Sequence, residues 1–181
     1  MRPSTWRLQQ TELLAVFGFA AFLVYSWSIV ISFYELPSWL HYLSLTQLAA
    51  IYGYMFIVDF AECLLLLVAT QAAELLLFRP LLGSPGSVAR SVILIGVFLG
   101  TAMLRLVRFE YFSELEMFVQ SEVGWWAVAV VVAGTALTVV HRAEPIRRLL
   151  EGLADRTAVL LIAYLPLTAI GGIIVMARSL A

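Results

Sequence analysis

The 181-residue chain is too apolar and too sparsely charged for a soluble protein: 62% of its residues are hydrophobic, 13% are charged, and the net charge is −1. A soluble domain is about half apolar and about a quarter charged, so the composition predicts an integral membrane protein. The near-zero net charge offers no basic surface to nucleic acid. The lone cysteine, Cys63, lies in an apolar run, and we expect a small buried side chain there.

Five apolar stretches are long enough, or nearly so, to cross a bilayer as helices, because a spanning helix needs about 20 residues. In chain order they cover 13–34, 48–78, 91–108, 123–140 and 157–177. We therefore predict one all-α transmembrane domain over residues 1–181. The short Gly/Ser/Pro-rich turn at 81–90 predicts that the second and third spans form an antiparallel hairpin.

The arginines predict the orientation of the chain. With five spans, eight of the eleven arginines fall on the side of the N-terminus and three on the other side. The larger group is Arg2, Arg7, Arg79, Arg90, Arg142, Arg147, Arg148 and Arg156; the smaller is Arg105, Arg108 and Arg178. Because arginine-rich loops stay in the cytoplasm, the N-terminus is predicted to be cytoplasmic and the C-terminus external.

Three connectors have patterns typical of the membrane surface. Segment 36–45 carries interfacial aromatic residues, while 109–118 and 144–156 place apolar side chains on one helical face. We expect all three to anchor the chain at the surface. Partner docking is the alternative.

Four charged residues fall at similar depth in the second and third spans. With a rise of about 1.5 Å per residue, Asp59, Glu62, Arg105 and Arg108 lie about 21 to 28 Å from the hairpin turn. Charges inside a membrane are costly and face a partner or a pathway. Two acids match two arginines, which favours a structural clamp that pairs Glu62 with Arg105 and Asp59 with Arg108. A pathway is the alternative.

Glu74 lies near the cytoplasmic end of the second span and has no evident partner in the sequence. We interpret it as a solvated carboxylate at the cytoplasmic interface. The alternative is a polar stripe of Asp59, Glu62, Gln71 and Glu74 on one side of the helix. In an oligomer, such a stripe could line an ion or proton path. The small residues at 96–100 and 171–172 indicate close helix packing.

The sequence shows no recognisable catalytic chemistry. The two histidines, His41 and His141, are predicted on opposite sides of the membrane, so they do not share a haem. Metalloprotease, phosphate-loop and serine-hydrolase motifs are absent. We expect no enzyme, no cofactor and no metal. A metal or aspartyl catalytic pair at Asp59 and Glu62 is the less favoured alternative.

Residues 12–142 resemble the YqhA-like family of small uncharacterised membrane proteins of bacteria and plastids. The resemblance lies in Val58-Asp59, in Glu74 followed by Leu76 and Phe78, in segment 109–117, and in His141-Arg142. It implies that Asp59, Glu74 and the neighbourhood of Arg105 matter, and it implies no known activity. We expect the chain in the bacterial inner (cytoplasmic) membrane.

Two functions fit these patterns. The first is a non-catalytic, self-associating membrane protein whose intramembrane acids line an ion or proton pathway. The second is an accessory or scaffold subunit of a larger redox or photosynthetic complex. The expected partners are the lipid bilayer and either further copies of the chain or other membrane subunits, without nucleic acid.

Overall fold

The computed structural model describes residues 5–78, 86–107 and 115–180, with side chains from residue 10 and, in the last range, from residue 121. Every regular element in these ranges is helical, which confirms the predicted all-α class for the described part of the chain. The α-helices are α1 Thr5–Tyr42, α2 Leu45–Ala73, α3 Ser87–Val107, α4 Leu115–Arg142, α5 Glu144–Ala158 and α6 Leu161–Ser179. A π-helical turn, Glu74–Phe78, follows α2 directly.

Five of the helical segments are long and apolar enough to cross a membrane, as the sequence predicts. They are Gln10–Tyr42, Leu45–Phe78, Ser87–Val107, Ser121–Arg142 and Leu161–Ser179. The helix predicted at 144–156 is also present, as α5, and it connects the fourth and fifth of these segments.

The end of α1 departs from the prediction. Segment 36–45 was expected to be a surface connector, but α1 continues through Pro37 to Tyr42. A proline removes one backbone hydrogen bond and strains the preceding turn, and here the helix resumes beyond it. The connection to α2 therefore shrinks to Leu43 and Ser44.

The start of α2 is fixed by a reciprocal cap. Ser44 Oγ accepts a hydrogen bond from the backbone N–H of Gln47 at 3.3 Å, and Gln47 Oε1 accepts one from the backbone N–H of Ser44 at 2.9 Å. This arrangement satisfies two backbone donors that a helix start leaves without partners. The Ser-x-x-Gln spacing thus specifies where the second helix begins.

The chain divides into two compact units. The first consists of Met1–Ala69 and Leu153–Ala181, and the second of Thr70–Gly152. In the first unit, glycines allow helices to touch through their backbones. A Cβ atom on Gly171 would lie 2.9 Å from the Gly53 carbonyl oxygen, and one on Gly18 would clash with Ala158 Cα. The close packing expected near 171–172 is therefore present at Gly171.

The second unit is built mainly on the contact between α3 and α4. Its buried core consists of Ala89, Ile93, Leu137 and Val140, with partly buried apolar side chains around it. The rings of Phe98 and Trp126 stack with centroids 6.1 Å apart. Gly100, at the end of the predicted 96–100 packing motif, has open space at its Cβ position.

Candidate functional site

Asp59 is the buried acid of the first unit. Its side chain lies near the middle of α2 and is 3% exposed. Ser28 on α1 donates a hydrogen bond from Oγ to Asp59 Oδ1 at 2.7 Å. The second carboxyl oxygen, Oδ2, is also buried, and no described residue hydrogen-bonds to it. A carboxylate with one unsatisfied oxygen is costly in apolar surroundings, and the cost falls when it binds a proton or a cation.

Tyr25 joins three helices one turn away from this carboxyl group. Its hydroxyl lies 2.5 Å from Thr168 Oγ1 on α6 and 3.2 Å from the carbonyl oxygen of Phe56 on α2. Thr168 Oγ1 in turn lies 3.0 Å from the Tyr164 carbonyl oxygen. The two hydroxyl groups have one hydrogen each for these three contacts, so two of the contacts are hydrogen bonds at any time. The chain of hydrogen bonds can therefore end on the Tyr164 carbonyl oxygen or on the Phe56 carbonyl oxygen.

The ring of Tyr25 reinforces this junction. It is 1% exposed and stacks on Tyr164 and Phe56, with centroids 4.7 Å and 5.9 Å apart. Because the hydrogen-bond chain ends on backbone carbonyl groups, it ties α1, α2 and α6 together rather than supplying a proton to Asp59. Tyr25 therefore supports the Asp59 site structurally.

Tyr25, Ser28 and Thr168 are not among the site residues predicted from the sequence. Tyr25, Ser28 and Ser32 recur every three to four residues, so they share one side of α1. This hydroxyl stripe inside an apolar span was the available signal. It predicts a polar face on α1. The partner of that face, Asp59, lies 31 residues further along the chain and is identified only by the packing of α1 against α2.

Glu74 and Arg90 form a buried ion pair in the second unit. Arg90 Nε lies 2.9 Å from Glu74 Oε1, and Arg90 Nη2 lies 2.8 Å from Glu74 Oε2. The two residues are 5% and 3% exposed. This two-pronged geometry satisfies both carboxylate oxygens with charged donors.

The prediction of a solvated Glu74 without a partner is therefore wrong. Arg90 is the last residue of the Gly/Ser/Pro-rich turn at 81–90 and was predicted to lie between the second and third spans. In the structure α3 already begins at Ser87, so Arg90 occupies the first turn of that helix and reaches Glu74. The antiparallel hairpin of the second and third spans stays a prediction, because residues 79–85 lie outside the described part of the chain.

Arg105 pairs with Glu122, a residue outside the predicted charge cluster. Arg105 Nε lies 2.5 Å from Glu122 Oε1, and Arg105 is 8% exposed. The predicted partner, Glu62, is exposed, and no described residue forms a hydrogen bond or an ion pair with it. Arg108 lies outside the described residues, so the predicted Asp59–Arg108 pair stays a prediction.

The residues of the predicted polar stripe have different surroundings. Asp59 is buried against a serine, Glu62 is exposed, Gln71 is half-buried, and Glu74 is held by Arg90. The pathway through all four stays a prediction. Asp59 is the buried acid among them that has no cationic partner in the described part of the chain.

Charges on α5 pair along the surface of that helix. Glu144 accepts a hydrogen bond from Arg148 Nε at 2.9 Å, and this bond lowers the pKa of the Glu144 carboxyl below its ordinary value, with the Arg147 charge adding to the effect. Arg147 also contacts Glu144 and Glu151. The apolar side chains Ile146, Leu149 and Leu153 are exposed, as expected for a helix at a membrane surface.

Among the described residues, no three His, Cys, Asp or Glu side chains come together to hold a metal ion. Comparisons with protein-family models, curated proteins and solved structures found no match. The resemblance to the YqhA-like family accordingly stays a prediction, and functional inference depends on the residues themselves.

Proposed function

We propose that this chain is a non-catalytic membrane protein that conducts protons, with Asp59 as the group that binds and releases them. The observation that carries the proposal is the state of the Asp59 carboxyl group. It is buried, one oxygen accepts a hydrogen bond from Ser28, and the other has no partner among the described residues.

A proton suits this site better than a metal ion. A hydroxyl and one carboxyl group supply too few oxygens for a divalent cation, which takes about six ligands. A proton needs no cavity, and it neutralises the carboxylate where ionisation is most costly. The neutral acid keeps Oδ1 as the acceptor for Ser28 and carries the proton on Oδ2.

Proton flux into liposomes tests the proposal. The purified chain is reconstituted with a pH-sensitive dye inside the vesicles, and a potassium gradient with valinomycin drives proton entry. We expect entry faster than in protein-free vesicles for the wild type and for Asp59→Glu. We expect entry at the protein-free rate for Asp59→Asn. Unchanged flux in Asp59→Asn would remove Asp59 from the path.

We also propose on which side of the membrane the N-terminus lies and in which cellular membrane the chain resides. Exposed Arg142, Arg148 and Arg156 flank or lie on α5, and their charge suits an anionic cytoplasmic leaflet. The N-terminus would then be cytoplasmic, in the inner membrane of a bacterium. Reporter fusions after residues 143 and 180 should give a cytoplasmic and an external signal, respectively. The reverse pattern would contradict this orientation.

The second candidate is an accessory subunit of a larger membrane complex, or a self-associating scaffold. It is favoured by Gly124 and Gly134 on α4, which have open space at their Cβ positions. Small residues of this kind allow another helix to approach closely. Mass determination after nanodisc extraction separates a homo-oligomer from a hetero-complex. A hetero-complex without proton flux would favour the accessory subunit over the proton path.

A further inference from the structure

Glu62 is an exposed carboxyl group in the middle of a membrane-spanning segment. The segment Leu45–Phe78 has 34 residues, and a rise of about 1.5 Å per residue places Glu62 about 25 Å from either end. The segment is about 51 Å long and the hydrocarbon core about 30 Å thick, so a segment centred in the bilayer places Glu62 about 15 Å from either edge of the core, a distance that a glutamate side chain does not span. The surface next to it is apolar, since Val58 and Leu65 are 53% and 69% exposed.

An ionised carboxylate is unstable on such a surface. Charged side chains inside a membrane pair with opposite charges or face a water-filled cavity. Among the described residues no cation pairs with Glu62. A neutral carboxylic acid avoids the cost, because it carries no charge into the acyl chains.

The neighbouring Asp59 carboxyl group is a second, independent observation that points to proton binding at this place on α2. It precedes Glu62 by three residues on α2, so the two carboxyl groups are neighbours one helical turn apart. Asp59 points inward and leaves Oδ2 without a described partner, whereas Glu62 points outward. The other titratable groups nearby are Cys63 on the same helix and Tyr25 on α1, and both are buried.

We propose that Glu62 is a second proton-binding site, which faces the lipid acyl chains as a neutral acid and exchanges its proton with Asp59. The exchange rests on the proposed function, while the lipid-facing protonated state does not. The transfer moves one proton from the Glu62 carboxyl group to the Asp59 carboxylate. It leaves a Glu62 carboxylate that must be reprotonated, and it needs no other reactant.

Carbodiimide labelling tests the lipid-facing state in the full-length protein in liposomes. Dicyclohexylcarbodiimide partitions into the bilayer, adds the protonated carboxyl group across its C=N bond, and rearranges to a stable N-acylurea without a leaving group. We expect peptide mass spectrometry to show the adduct on Glu62 and not on Glu74, which is held by Arg90. The adduct should be absent in Glu62→Gln.

A water-soluble carbodiimide is the matched control. It should label exposed carboxyl groups on α5, such as Glu144, and leave Glu62 unmodified. No adduct on Glu62 with the hydrophobic reagent, or equal labelling by both reagents, would overturn the lipid-facing protonated state. The first result would indicate a covered or ionised group, and the second a group in water.

Proton flux tests the exchange. In Glu62→Gln we expect flux to fall to the rate of protein-free vesicles, as in Asp59→Asn. Labelled Glu62 together with wild-type flux in Glu62→Gln would overturn the exchange alone. Labelled Glu62 without any flux in the wild type would overturn the proposed conduction and leave the lipid-facing proton site intact.

Discussion

Asp59 in the first unit and Glu74 in the second are both buried acids on Leu45–Phe78, the second segment that is long and apolar enough to cross a membrane, and their partners differ. Glu74 meets Arg90, which donates to both of its oxygens. Asp59 meets Ser28, a neutral hydroxyl that donates to one oxygen. Removing either charge of the Glu74–Arg90 pair would leave the other one buried without its counter-charge, which is costly.

This difference separates a structural acid from an exchangeable one. A buried pair of opposite charges is disrupted by protonation, so it suits a permanent contact between helices. An acid that faces only a hydroxyl can gain or lose a proton without leaving a buried cation behind. This difference supports the proposal that Asp59 exchanges protons, whereas the Glu74–Arg90 pair holds two segments of the second unit together.

The largest expected effect comes from breaking the Glu74–Arg90 pair. Glu74→Ala or Arg90→Ala leaves one buried charge without its partner, which typically costs about 3–5 kcal/mol of unfolding free energy. Unfolding in mixed micelles with increasing sodium dodecyl sulfate measures the loss. The double change Glu74→Leu/Arg90→Met should recover most of it, because both charges leave together. Single variants as stable as the wild type would contradict the clamp.

A smaller loss is expected at the Arg105–Glu122 pair. Glu122 is more exposed than Glu74, so water partly solvates the charges when the pair is broken. Glu122→Gln should lower the unfolding free energy by about 1.5–3 kcal/mol, the range for hydrogen bonds to charged groups. The same micelle assay measures this loss. A loss larger than that of Glu74→Ala would reverse the proposed ranking of the two pairs.

The Tyr25 junction should contribute less than either ion pair. Tyr25→Phe keeps the stacked ring and removes the hydroxyl link to Thr168, which should cost about 0.5–1.5 kcal/mol. Tyr164→Phe is the matched control, since no described residue hydrogen-bonds to that hydroxyl. Micelle unfolding of both variants measures the difference. Equal losses would show that the hydroxyl of Tyr25 adds nothing to the junction.

The smallest effect is expected at the exposed Glu144–Arg148 pair. Because the folded state lowers the pKa of Glu144, the pair stabilises the fold above the ordinary glutamate pKa, and this contribution is lost as the pH falls through the lowered value. Arg148→Ala should return the pKa toward its ordinary value with little change in melting temperature. Carboxyl NMR titration measures the shift. An unchanged pKa would contradict the assigned cause.

The sequence predicts the helices better than it predicts the partners of the charges. Span length and apolar composition are local properties, so all five candidate spans could be found from the sequence. Arg90 was assigned to a loop because the start of α3 was placed four residues too late, at residue 91 instead of Ser87. Glu122 lies at the edge of an apolar run, where a carboxylate is expected to be solvated and so gives no local sign of a partner.

The partner of Asp59 was not predictable from local pattern. Ser28 is 31 residues away along the chain, and the contact depends on how α1 and α2 are rotated against each other. Charge and depth alone predict an arginine of the third span as a partner, and the Asp59–Arg108 pair stays a prediction because Arg108 lies outside the described residues. Side-chain packing, which cannot be read from the local sequence, determines which residue forms a hydrogen bond with Asp59.

Proton flux with matched variants in the two units tests the central claim most directly. Liposomes containing the wild type, Asp59→Asn, or the charge-free double variant Glu74→Leu/Arg90→Met are compared under one membrane potential. We predict flux in the wild type and in the double variant, and none above protein-free vesicles in Asp59→Asn, with all three proteins folded. Flux that survives Asp59→Asn, or that is lost only in the double variant, would contradict the assignment of the two acids.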